Sequence, residues 1–363
     1  MAPDPRLLHH LRERGPLTVA ELFRWAVGEG GSYQRAPDLV FGAAGDFVTA
    51  PEISQTFGEL IGLGLADAWQ RLGGGAAVLA ELGPGRGTLL ADLWRGVAVV
   101  PGAHDAWQVH LVERSRSLRE RQAEVLAAAR PVWHDTVDAL PEDRPLLLVA
   151  NEFLDALAIH QLERTAEGWA ERRVGLDARG EIAFRCAPAP PALAEAAAAR
   201  FADAALGAVA ELAPERDAVV AELARRIAGN GGLAYLIDYG GLALTPVDTL
   251  QAAHRHAAVD VLAHAGAADL SSAVDFAPLR AVAAATGAAV FGPIPQARFL
   301  RALGIELRSV QLSGRLRGAE RQAVFSGVRR LLAPEAMGEA FKVLAVAHPA
   351  LGVPAGFLAE DAV

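Results

Sequence analysis

Residues 76–94 read AAVLAELGPGRGTLLADLW, and the fold turns on that stretch. AAVLAEL is an apolar run broken only by Glu81, the pattern of a strand buried on both faces. Glycines at 83, 85 and 87 then interrupt it, and TLLADLW resumes with helical spacing. Strand, glycine turn and helix together predict the opening unit of a parallel α/β sheet, with room for a ligand at the strand's carboxyl end.

The same alternation recurs further along. AWQVHLVE, LLLVANEF and LAYLIDYG read as later strands separated by helices, with AFKVLAVAHP near the end. This predicts a doubly wound, mostly parallel sheet of seven strands. Upstream, residues 4–30 carry helical apolar spacing and lead into GAAGDFVTAPEIS at 42–54. Thr49 and Glu52 stand in the capping-box relation, Pro51 suits a first helical turn, and FGELIGLGLADAWQRL supplies a helix body. The expected division is an amino-terminal helical lid over 1–75 and a core over 76–363. Residues 156–230 are too long for a simple crossover. They read as an inserted lid after the fourth strand, with hairpin strands in IHQLERTAEGWAERRVGLDARGEIAFRC and an alanine-rich helix beyond. Residues 242–305 form a second irregular stretch.

Composition narrows the function classes. With 363 residues, 52% hydrophobic and 21% charged, the chain can bury a substantial core. Cys186 is the single cysteine, which excludes an internal disulfide, and the ten histidines form no cluster at metal spacing. A reducing cytoplasm is the expected compartment. No signal-peptide pattern and no run of about 18 apolar residues suggests a membrane span. The net charge of −9 and the absence of a basic run argue against nucleic acid.

Three ligands compete for the glycine turn. A phosphate-binding P-loop needs a Gly-Lys-Ser/Thr ending, and here Gly87 is followed by Thr88 without a lysine. A dinucleotide turn needs G-x-G-x-x-G, whereas the sixth position is Thr88 and Pro84 withdraws an amide that could face a pyrophosphate. The remaining pattern, E-x-G-x-G-x-G, is that of class I S-adenosylmethionine-dependent methyltransferases. That cofactor has no phosphate. Its ammonium and sulfonium can be balanced by Glu81, while Gly83, Gly85 and Gly87 let backbone approach it. Glu113, ending the next strand, can accept both ribose hydroxyls. Asp135, at the end of the third strand, can meet the adenine amino group or simply be solvated.

The fourth strand runs into Asn151, Glu152 and Asp155, at the edge where a methyl acceptor would wait. The alternative there is a helix cap with acids favoured by the dipole. Asn151 is assigned to the cofactor side, Glu152 and Asp155 to the acceptor. Asp238 ends the fifth strand, either as a functional acid or as a turn aspartate, and His256 is a further loop candidate.

Taken together, GDFVTAPEIS at 45–54, ELGPGRGTL at 81–89, LVERS at 111–115, ANEFLDA at 150–156, IDYG at 237–240, DTLQA at 248–252 and VDF at 274–276 resemble the MidA-type class I methyltransferases. The resemblance spans nearly the whole chain. It implies a Rossmann-like fold, with the 45–54 loop, including Gly45, Thr49 and Pro51, closing near S-adenosylmethionine. It also implies an acceptor pocket bordered by 151–155, and methylation of a protein arginine as the activity of relatives. Departures from the family at Arg116, Leu154, Ala158, Ala273 and Ala297 leave the cofactor motifs intact. A guanidinium is a fork of donors, so Glu152 and Asp155 are expected to hold it, with Asp238 or His256 taking the released proton. The partner is a protein presenting an arginine or a small-molecule acceptor, and a homodimer is compatible with the sequence.

Overall fold

The computed structural model describes residues 4–27, 49–254, 257–265, 268–314 and 316–363. They form two compact units. One comprises residues 49–154, Ala218–Leu242 and Val274–Val363; the other comprises 4–27, Asp155–Asp217 and the described part of 243–273.

The first of these holds the large sheet. Its strands are β1 (Ala77–Leu82), β2 (Trp107–Val112), β3 (Val132–His134), β4 (Leu146–Asn151), β5 (Gly232–Gly241), β6 (Ala289–Pro295) and β7 (Phe341–Ala347), in the order β6-β7-β5-β4-β1-β2-β3. Pairings from β3 across to β5 are parallel, while β7 runs antiparallel to both β5 and β6. Every residue of β1 and β4 is buried, which is why their text is almost continuously apolar. The expected seven-stranded sheet has eight strands of mixed direction, because Val274–Asp275 pairs in parallel with Gly240–Gly241. The chain leaves β1 toward β2 and β3, then returns to β4 on the opposite side. The carboxyl ends of β1 and β4 therefore flank the switch point, where α/β sheets bind ligands.

Three helices matter for the site: α1 (Gln55–Arg71), α2 (Thr88–Gly96) and α3 (Arg116–Val125). A methyl group on Gly58 would stand 2.7 Å from Asp92 Cβ, and one on Gly62 2.8 Å from Leu93 Cγ. The glycine face of α1 thus presses against α2, the helix that opens from the glycine turn. That packing moves the expected boundary: α1 belongs with the core sheet, not with an amino-terminal lid ending at residue 75. The stretch 242–305 is also more regular than expected, since 274–305 contributes helix Phe276–Ala285, β6 and helix Gln296–Ala302 to the core unit. A Gly292-Pro293 step inside β6 disguised it as loop.

In the other unit, Gly168–Leu176 pairs antiparallel with His160–Thr165, Leu17–Thr18 and Ile182–Pro188, and Val209–Leu212 pairs with His160–Thr165. The alanine-rich helix covers Pro191–Arg200. Gln251–His254 pairs with Ala257–Val259 and Asp269–Ser271 in a smaller sheet. Helices Pro5–Arg14 and Val19–Val27 belong here. A capping box starts the second: Thr18 Oγ1 accepts from the Glu21 N–H at 3.1 Å, and Glu21 Oε2 accepts from the Thr18 N–H at 2.7 Å. Among the described residues, no helix is long and apolar enough to cross a membrane.

Candidate cofactor and acceptor site

Gly83, Gly85 and Gly87 all take left-handed backbone angles, with φ of 60°, 52° and 82°. A side chain is strained there, and one at Gly83 would also stand 2.9 Å from the Phe153 ring, so the glycines at these positions follow from the turn itself. Gly83 is exposed, whereas Pro84, Gly85 and Gly87 are buried. The Gly87 N–H donates to the Pro84 carbonyl at 2.8 Å, closing the turn from which α2 starts.

Glu81 lies in β1 directly beneath this turn. It is 3% exposed, and its Oε2 accepts no hydrogen bond from any described residue. Burial pushes its carboxyl up to about 8; the backbone N–H of Leu90, in the first turn of α2, opposes the rise and Glu113 adds to it. A buried acid with an unsatisfied oxygen beside an open glycine turn suits a ligand that brings positive charge.

Glu113 extends β2. Its Oε1 accepts from the Ser115 N–H at 2.8 Å and its Oε2 from Gln122 Nε2 at 3.4 Å. Burial raises its carboxyl above the usual range, against these two donors. Each carboxylate oxygen has a second lone pair, so capacity remains for a pair of ribose hydroxyls.

Gln122 is a residue that sequence reasoning missed. Fully buried on α3, it donates to the Gly85 carbonyl at 2.7 Å and accepts from the Trp133 indole N–H at 2.8 Å, joining the glycine turn, the end of β2 and β3. The signal was its spacing: Leu118, Gln122 and Leu126 are four apart, a polar residue on an apolar helix face. Gln122→Leu keeps the volume but leaves the buried Gly85 carbonyl unpaired, at about 1–3 kcal/mol, and the half-buried Trp133 indole N–H without its acceptor. A fall of several degrees in the thermal midpoint is expected, and an unchanged midpoint would show the network to be dispensable.

Arg119 donates to the carbonyls of Glu113 and His134 and pairs with Asp135 Oδ1 at 2.5 Å. The Asp135 side chain is 78% exposed. Its geometry is that of a solvated, ion-paired aspartate.

On the other side of β1, Glu152 follows β4 with φ of 51°, one of three non-glycine residues in left-handed backbone among the described residues. Its Oε1 accepts from Asn151 Nδ2 at 3.0 Å and from the Ala50 N–H at 3.3 Å. Asn151 is buried at the end of β4, and its Oδ1 accepts nothing from the described residues. Asp238 is wholly buried and accepts from the Leu154 and Tyr239 N–H groups at 2.9 and 3.1 Å, which anchors the turn carrying Glu152. Asp155 falls in the other compact unit. There burial lifts its carboxyl above the usual range while Arg216 pulls it back. Arg216, also missed, donates to the carbonyls of Asp155 and Ala273 and to Ser272 Oγ. Gly45 and His256 lie outside the described residues.

The capping box expected at Thr49 does not form. Thr49 precedes a single turn, Ala50–Ile53, without a side-chain cap, Pro51 is buried within that turn, and Ser54 is extended before α1. The Glu52 carboxylate instead accepts from Thr88 Oγ1 at 2.6 Å, 36 residues away.

Residues 60–294 match a family described as S-adenosyl-L-methionine-dependent methyltransferase. The chain belongs to this family. Curated relatives include the mitochondrial protein arginine methyltransferase NDUFAF7 of mouse, 35% identical over 94% of this chain and 83% of that protein, and of human, 34% identical over 94% and 82%. A Burkholderia thailandensis protein crystallised with S-adenosyl-homocysteine superposes with a TM-score of 0.83 at 28% identity, covering 99% of this chain and 94% of that one. This methyltransferase therefore uses S-adenosylmethionine, as the glycine turn and its acids imply. The relatives' names also correct one expectation. Both are mitochondrial, which overturns the cytoplasmic assignment: one cysteine excludes a disulfide but does not choose among reducing compartments.

Proposed function

We propose that this methyltransferase modifies a guanidinium nitrogen of an arginine in a partner protein. The observation that carries the reading is the strained Glu152, a carboxylate held at the switch point in backbone that an acid adopts only when its surroundings impose it. The arginine methyltransferase activity in the names of the curated relatives supports the acceptor.

S-adenosylmethionine, when bound, supplies a methyl group on a sulfonium for in-line displacement. The protein's work is alignment and exclusion of water. Glu81 balances the positive charge of the amino-acid end, Glu113 receives the ribose hydroxyls, and the glycine turn permits close approach. A guanidinium, with pKa above about 12, is protonated and weakly nucleophilic. A carboxylate engages two of its N–H groups in parallel and orients the nitrogen that reacts. Glu152 serves that role. Asp155 belongs to the other compact unit, with its carboxyl in the field of Arg216, and is given no role in the step, whereas Asp238 acts by fixing the turn beneath Glu152.

With radiolabelled cofactor, Glu152→Gln is expected to lose transfer by at least about tenfold while binding S-adenosylhomocysteine as before. Unchanged turnover would remove the residue from the reaction. Acid hydrolysis of the labelled product should yield methylarginine. Label found in a metabolite fraction would replace the protein acceptor by a small molecule, and no label in any fraction would leave a cofactor-binding assembly protein.

A further inference from the structure

Glu52 has no role in the readings above, yet it belongs to a segment that touches both halves of the site. The turn Ala50–Ile53 lies in the same compact unit as β1, β4 and α2. On the cofactor side, Glu52 Oε1 accepts from Thr88 Oγ1 at 2.6 Å, and Thr88 is the first residue of α2 after Gly87. On the acceptor side, the Ala50 N–H donates to Glu152 Oε1 at 3.3 Å. A third contact holds the turn from outside: a methyl group on Gly327, in helix Gly318–Leu332, would stand 2.7 Å from the Ile53 carbonyl oxygen. Between Ala50 and Glu52, the buried Pro51 fixes its own φ, so the two ends of the turn move together.

We propose that Glu52 and Thr88 are positioning residues for Glu152: their hydrogen bond ties the turn to the start of α2, and the turn's Ala50 N–H then aims the Glu152 carboxylate. The proposal rests on the reading that Glu152 holds the acceptor. Two donors reach Glu152 Oε1, Asn151 Nδ2 and the Ala50 N–H. Asn151 is the adjacent residue and travels with Glu152 on the end of β4, so it cannot refer the carboxylate to the rest of the site. Ala50 comes from 102 residues away and can. Its bond is longer than the usual range of about 2.7–3.2 Å, so its direction is set by whatever anchors the turn. The anchor is the stronger contact, a hydroxyl donating to a carboxylate at 2.6 Å. Misplacing a reacting group by about 1 Å can cost on the order of a hundredfold in rate. The competing reading is that the bond only adds to the packing of α1 on α2, which Gly58 and Gly62 already secure.

The test separates the hydroxyl from the volume it occupies. Thr88→Val removes the donor at nearly the same size, and Thr88→Ser keeps it. With radiolabelled S-adenosylmethionine and total protein from a cell lysate as acceptor, Thr88→Val is expected to transfer label roughly tenfold more slowly and Thr88→Ser at close to the unsubstituted rate. Calorimetry should show unchanged S-adenosylhomocysteine affinity in both, which also reports an intact fold. Hydrogen exchange of the amides in residues 50–54 should quicken in Thr88→Val and return to normal in Thr88→Ser. Glu52→Ala should match Thr88→Val, and the two together should cost no more than either alone, because each removes the same bond. Equal rates in the Val and Ser variants, losses that multiply, or a parallel loss of S-adenosylhomocysteine affinity would overturn the assignment. Full transfer by Glu152→Gln would instead strike the acceptor reading on which it rests.

Discussion

Affinity for S-adenosylhomocysteine is expected to climb with pH by up to about tenfold per unit, level off near pH 8, and lose this dependence in Glu81→Gln. The cause is the burial of Glu81 under the glycine turn, which holds its carboxyl up to about 8 in the free protein. Below that pH the group is mostly protonated and offers a ligand no charge. A bound ammonium favours the ionised form and so lowers the pKa. Binding then releases a proton wherever the pH lies between the bound and free values, and affinity rises with pH across that interval.

The same group affects the free protein in the opposite sense. Its folded pKa is raised above the unfolded value, so its contribution to stability is fully present below the ordinary carboxylate range and is lost as pH rises through about 8. Calorimetric titrations between about pH 6 and 9, repeated in buffers of different ionisation enthalpy, measure both affinity and proton release. From pH 6 to 8 the expected gain is on the order of a hundredfold. At the low end the Glu81→Gln protein should bind as the unsubstituted one does, and at the high end far more weakly. A flat profile for the unsubstituted protein would show that Glu81 is ionised before the ligand arrives.

The second large effect belongs to Glu113. Glu113→Ala removes the carboxylate at the end of β2 that we propose accepts two ribose hydroxyls. Bonds to charged groups contribute about 1.5–3 kcal/mol each, so a loss of roughly a hundredfold or more in S-adenosylhomocysteine affinity is expected. Methylthioadenosine should suffer equally because it contains the same ribose. Ser115 and Gln122 lose an acceptor in the variant, so the thermal midpoint falls as well. Unchanged calorimetric affinity would mean that the ribose is held elsewhere.

Much of this site was legible in the text of the chain because its logic is local. A strand buried on both faces must be apolar, a turn at positive φ must be glycine, and an acid at a strand's end lies at the sheet's ligand edge. Glu81, the three glycines and Glu113 follow from those rules. The residues that escaped are those whose partners are remote in sequence. Gln122 bridges the glycine turn, the end of β2 and Trp133 of β3, and Arg216 meets Asp155 and Ser272 from positions 61 and 56 residues away. Leu17–Thr18 pairs with Arg173 and Val174. None of these pairings has a local signature.

The two Thr-x-x-Glu stretches make the division concrete. Thr18 and Glu21 close on each other at the start of their helix. Thr49 and Glu52, with the same spacing, do not: the short turn ends at Ser54, and the Glu52 carboxylate crosses to Thr88. Strand and turn identity, the glycine positions and the acids at the strand ends are properties of near neighbours along the chain, and the amino-acid order alone settled them. Where Glu52 points, which residues brace the turn and which unit α1 joins were settled only when distant segments packed, because a side chain's partner is chosen by what the folded sheet brings within hydrogen-bonding distance.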